Sequence, residues 1–127
     1  MIKNLGISLL SFTMLGLVFS GCASQPKPLY NYGDYSTSYY HSKQEVGPET
    51  ALTLQKSIEN AIENSSDSLS GRVAPGMYAN LGYIYLKSGN YSKAVENFNN
   101  EKRIYPESVY FMNRMLKKIK VVQEENK

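Results

Sequence analysis

From residue 48 onward, apolar residues recur at the three- and four-residue spacing that gathers them on one face of a helix, and no stretch after residue 22 alternates as a half-buried strand would. Leu54, Ile58, Ala61 and Ile62 form one such stripe, in a helix expected over 48–64 with Pro48 in its first turn. Tyr78, Leu81, Gly82, Tyr85 and Leu86 form a second, between Pro75-Gly76 and Gly89-Asn90. Tyr91, Ala94, Val95 and Phe98 form a third, ending near Ile104 before Pro106. Val109, Met112, Leu116 and Ile119 form a fourth, over about 107–122, with Glu107 placed for the helix dipole and 124–127 expected to fray. Before these, Asp34 is placed to N-cap a short helix over 35–43, which Val46-Gly47-Pro48 ends. The pattern predicts an all-α fold of about five helices.

The front of the chain reads differently. Lys3 precedes Leu5 to Phe19, fifteen largely apolar residues without a charge. A membrane span needs about 20 residues, so this run fits the core of a secretory signal. Its end, Val18-Phe19-Ser20-Gly21-Cys22, resembles the bacterial lipobox, with Phe19 where leucine is commoner. That resemblance implies cleavage after residue 21 and acylation of Cys22, the chain's one cysteine. Ala23 follows, not the aspartate of inner-membrane retention, which implies the periplasmic face of the outer membrane in a two-membrane host. Residues 22–29, with Pro26 and Pro28, read as an extended tether. The six residues 23–28 of it reach roughly 20 Å at about 3.3 Å each, so the helical domain over 30–123 is expected close to the bilayer.

Composition narrows the rest. Loss of Lys3 takes the 14 basic residues to 13, against 11 acidic, a balance that does not point to nucleic acid. The local excess at Arg114, Lys117, Lys118 and Lys120 reads as the solvated side of a helix. With its lone cysteine acylated, the mature chain has no internal disulfide and must hold together by packing.

Residues 78–106 resemble one tetratricopeptide repeat. Tyr78, Leu81, Gly82, Tyr85, Ala94, Phe98 and Pro106 stand at that pattern's offsets, and Glu101 departs from it where a small residue is expected. The spacing has a physical basis: Gly82 and Ala94 let two antiparallel helices approach, and the large residues around them fill the gaps. One repeat cannot bury both of its faces. The helices before it therefore read as a degenerate second hairpin, and the last helix as a cap.

YNYGDYSTSYY, VAPGMYANLGYIYLKSGN and EKRIYPES together resemble a family of small bacterial lipoproteins known as domain of unknown function 4810, over residues 30 to about 116. Tyr32 stands where that family has Trp, and Ala74 where it has Pro. The resemblance implies an envelope lipoprotein, often found beside a lipoprotein similar to the curli secretion channel.

Residues 30–40 hold Tyr30, Tyr32, Tyr35, Tyr39 and Tyr40, in a chain without tryptophan. Tyr32, Tyr35 and Tyr39 are spaced to pack as part of the first helix. All five are candidates for a partner surface, since tyrosine is a rigid amphipathic anchor, and rings left over from packing, such as Tyr30 and Tyr40, suit it best. Contact with lipid or stacking on sugar is a third reading. Little else invites chemistry. His41 has no second histidine or free cysteine with which to hold zinc, the glycines read as turn or packing residues, and Glu59 and Glu63 read as a solvated face. Catalytic, metal and cofactor sites are therefore not expected. The expected role is a non-enzymatic adaptor that binds another envelope protein, with a groove-type receptor for a peptide or small ligand as the alternative. The oligomeric state is left open.

Overall fold

A computed structural model describes residues 26–125. The expected signal segment 1–21, Cys22 and the start of the expected tether lie outside the described residues, as do 126–127. Five helices follow one another: α1 (Tyr35–Gln44), α2 (Pro48–Glu63), α3 (Met77–Lys87), α4 (Tyr91–Ile104) and α5 (Val109–Glu125). Single 3₁₀ turns occupy Ser65–Asp67 and Pro106–Ser108, so Pro106 opens a short turn rather than α5 itself. No strand occurs among the described residues. Each helix packs on the next in the chain, most extensively α3 on α4. The architecture is an all-α stack of helical hairpins, as the periodicity predicts.

The α3–α4 contact forms where Gly82 faces Phe98. A Cβ at Gly82 would lie 2.7 Å from the Phe98 ring and 3.3 Å from the Ala94 carbonyl oxygen, so only glycine fits the observed approach. Phe98 and Ala94 are fully buried there with Ile58, Ala61, Met77, Leu81 and Tyr85, and α5 closes the core with Met112 and Ile119. Gly89, with φ +77°, turns α3 into α4. Two stripe members fall outside the core: Val95 and Val109 sit at the exposed edge. On α4, Asn97 and Glu101 are buried instead of Val95.

Glu101 is not a defect in the packing pattern. Gly76 begins α3 with φ +83° and has no side chain to cap the helix. Glu101 reaches across from α4 instead: one carboxylate oxygen accepts from the Gly76 N–H at 2.8 Å, the other from the Ala79 N–H at 3.2 Å. An anion at a helix N-terminus is favourable, and its placement explains why a small residue is absent.

Asp34 sits at the start of α1 but its side chain makes no capping bond. Asn31 does the local work. Its side-chain oxygen accepts from the Gly33 N–H, and its amide donates to the Asn64 carbonyl at the end of α2. Just before it, the Pro28 and Leu29 carbonyls accept from the Leu69 and Ser70 N–H groups at 2.9 and 3.1 Å. The fixed part of the chain thus begins at Pro28, inside the expected tether. At the far end, α5 stays helical through Glu125, beyond the expected point of fraying.

Candidate functional site

Tyr35 links α1 to α3. It is half-buried against the core, and its hydroxyl accepts from the Asn80 side-chain amide of α3 at 3.0 Å. Burial, then the neighbouring Tyr39 and Tyr32, push its pKa up, so it stays a neutral phenol at physiological pH. One turn on, the Tyr39 ring lies 5.8 Å from that of Tyr35, and Lys43 places its ammonium 5.2 Å from the Tyr39 ring. Opposite stand Tyr83 and Lys87, on the outer side of α3.

Between these two walls runs a groove with Leu54 of α2 and Ile84 of α3 on its floor. A trough of about 580 Å³ continues into a smaller recess of about 150 Å³ beside Tyr35, Tyr39 and Asn80. The trough's outer end is the α1–α2 turn, where Val46 is almost fully exposed. That turn is held by Thr50, whose hydroxyl accepts from the Gly47 N–H at 3.2 Å and lies 2.7 Å from the Glu45 carbonyl. The groove lining carries two lysines, Lys43 and Lys87, and no carboxylate.

The five tyrosines separate unexpectedly. Tyr30, read as a leftover ring, packs on the core. Tyr32 and Tyr39, spaced to pack on the stack and also candidates for the partner surface, are exposed, as is Tyr40. Tyr35 and Tyr39 line the groove, while Tyr32 and Tyr40 lie outside it. The repeat residues Leu81, Gly82, Tyr85, Ala94 and Phe98 are buried, Tyr78 is half-buried, and Pro106 is exposed in its turn.

Glu59 leaves the solvated face assigned to it. Its carboxylate accepts from the Tyr85 hydroxyl at 2.7 Å and the Gln55 amide at 3.0 Å, with the Lys93 ammonium 3.4 Å from the same hydroxyl. Burial and then the bond to Glu59 raise the Tyr85 pKa. The cluster ties α2, α3 and α4 together by side chains whose partners are one another. His41 is exposed, its ring 3.9 Å from Glu45. Among the described residues no group of three acidic, histidine or cysteine side chains could hold a metal, and no helix is long and apolar enough to cross a membrane.

Sequence reasoning missed Tyr83, Lys43 and Lys87. Tyr83 lies one position off the buried stripe of α3, and that offset is its only signal. A family model described as "Domain of unknown function (DUF4810)" matches residues 29–115, which takes in α1 to α4 and the first turns of α5. No curated protein and no solved structure matches the chain.

Proposed function

The chain belongs to the DUF4810 family, and from that premise we propose that it is a non-enzymatic envelope adaptor, acylated at Cys22, that grips a segment of another envelope protein in the groove between α1 and α3. One wall of the groove, α3, is the first helix of the hairpin read as tetratricopeptide-like over residues 78–106, and stacks of such hairpins bind through extended faces of this kind. The reading rests chiefly on one observation: an open apolar trough walled by Tyr39 and Tyr83 and edged by Lys43 and Lys87, with no acidic side chain in its lining. Aromatic anchors beside cations suit an apolar segment with a carboxylate near one end. The trough is open along its length, whereas small-molecule sites bury most of their ligand. That favours a polypeptide over the small-ligand alternative.

The test is photo-crosslinking in intact envelopes from probes at Tyr83 and Tyr39, with Tyr110 of α5 as the off-groove control. The expected result is one adduct from the two groove positions and none from Tyr110. Its crosslinked peptide, sequenced by mass spectrometry, should be apolar with a nearby carboxylate. Lys87→Glu should abolish the adduct with the melting temperature unchanged. Equal labelling from all three positions, or a small molecule retained by the purified chain in native mass spectrometry, overturns the proposal.

A further inference from the structure

The chain enters its folded part at one defined place. Pro28 and Leu29 are bonded through their carbonyls to Leu69 and Ser70, in the loop between α2 and α3. Both leucines face solvent there: Leu29 is 61 % exposed and Leu69 is 68 % exposed. Lys27 precedes Leu29 by two residues and is exposed, and Arg72, three residues after Leu69 and also exposed, lies over the Tyr105 ring and donates to the Ile104 carbonyl at 2.7 Å. Two leucines on segments joined by backbone bonds and left uncovered, each with an exposed cation close by in the sequence, form an amphipathic patch. The nearest acid in the sequence is Asp67, two residues before Leu69.

We propose that this patch is a second membrane contact: Leu29 and Leu69 settle into the headgroup–acyl boundary while Lys27 and Arg72 meet anionic headgroups, so that the domain is held in one orientation rather than swinging on its lipid. The proposal rests on acylation at Cys22. What commits the patch to a bilayer is the length of chain between them. Leu29 is seven residues from Cys22, a maximum of about 23 Å at 3.3 Å per residue, and Pro26 and Pro28 stiffen the path. An anchor that short holds the patch at high effective concentration beside the bilayer. Even a weak interfacial site is then occupied, in the way that one acyl chain and a basic patch reinforce each other. The α1–α3 groove would be held at a fixed height and aspect above the surface.

The test uses the full chain, processed in a bacterial host, with Leu69→Cys carrying an NBD fluorophore. The protein is reconstituted in vesicles of phosphatidylethanolamine and phosphatidylglycerol containing a lipid spin-labelled near its headgroup. Acylated Cys22 has no thiol, so one label per chain reports acylation, and intact mass confirms it. The control label is Lys87→Cys, at the other end of α3, which at 11 residues spans about 16 Å. The expected result is a blue-shifted emission at position 69 quenched severalfold more than at 87, and a clear loss of that excess in Lys27→Glu/Leu29→Ser. Equal quenching at 69 and 87 in acylated protein overturns the patch and leaves the lipid reading standing. Two labels per chain, from a free Cys22, overturns the lipid reading and the patch with it. A label at 69 that is shielded in native envelopes but unquenched in vesicles assigns the patch to a protein instead.

Discussion

Glu101→Ala should unlock the start of α3. Glu101 is 3 % exposed, and both carboxylate oxygens are used, one on the Gly76 N–H and one on the Ala79 N–H. Hydrogen bonds to a charged group contribute about 1.5–3 kcal/mol each. An anion at a helix N-terminus adds about 0.3–1 kcal/mol. Gly76 is only half-buried, so water recovers part of what alanine removes, and the net loss should be about 3–5 kcal/mol. That is a large share of the 5–15 kcal/mol typical of a whole domain. Glu101→Gln is the sharper probe. It fills the same space but offers one acceptor oxygen and turns an NH₂ donor toward the other N–H, so it should lose about 2 kcal/mol. Urea unfolding followed by circular dichroism reads both, as a lower midpoint at unchanged slope. Hydrogen exchange localises the effect, since the Gly76 and Ala79 amides should lose protection first. An alanine variant within about 1 kcal/mol of the parent, or one whose Gly76 and Ala79 amides remain protected, would refute the assignment of Glu101 as the cap of α3.

Two further outcomes follow from packing and ionisation. Gly82→Ala gains about 1 kcal/mol of helix propensity, but its methyl would meet a Phe98 ring that is itself fully buried. Overpacking of this kind costs about 1–3 kcal/mol, so the midpoint of a thermal melt should fall, and Phe98→Leu should relieve part of the loss; a raised midpoint would show that the ring swings aside freely. Tyr105 donates to the Val73 carbonyl at 2.6 Å, and burial, with the Tyr30 hydroxyl beside it, pushes its pKa from 10 up to about 12. A raised folded-state value means stability that is complete below the unfolded value of about 10 and lost as pH climbs through about 12. That loss should be about 2–3 kcal/mol, with Tyr35 and Tyr85 adding to it in the same direction. Tyr105→Phe should be less stable at neutral pH by about 1–2 kcal/mol and flatter across the alkaline range. An equally steep decline in that variant, measured by denaturant melts, would acquit Tyr105.

The helices were legible because their stripes are dictated by a core that every sequence of this pattern must form. Leu81, Gly82, Ala94 and Phe98 meet as their spacing requires, and the prolines and glycines mark the turns. What the pattern hid was polar. A buried Glu101 and a bonded Glu59 look, residue by residue, like solvated carboxylates, because their partners are a backbone amide of α3 and a phenol 26 residues away. Helical periodicity records which side of a helix is covered. It does not record which donor the next helix brings to a given carboxylate.

The sorting of the tyrosines was hidden for a related reason. Spacing of 32, 35 and 39 places three rings along one side of a helix, but α1 is the first of the stack and packs mainly on α2. A helix with one main neighbour covers a narrow strip, here Ser38 and half of Tyr35, and leaves Tyr39 at its margin. Tyr32 precedes the helix altogether. Tyr30 gains its burial from elsewhere: the bonds of Pro28 and Leu29 to the 69–70 loop carry it onto the core beside Tyr105. The same narrow contact is what gives the groove its wall. Were α1 flanked on both sides, Tyr39 would be core. Because it is not, its ring stands open toward Tyr83, supported from behind by Tyr35 and Lys43, in the position a docking segment would need.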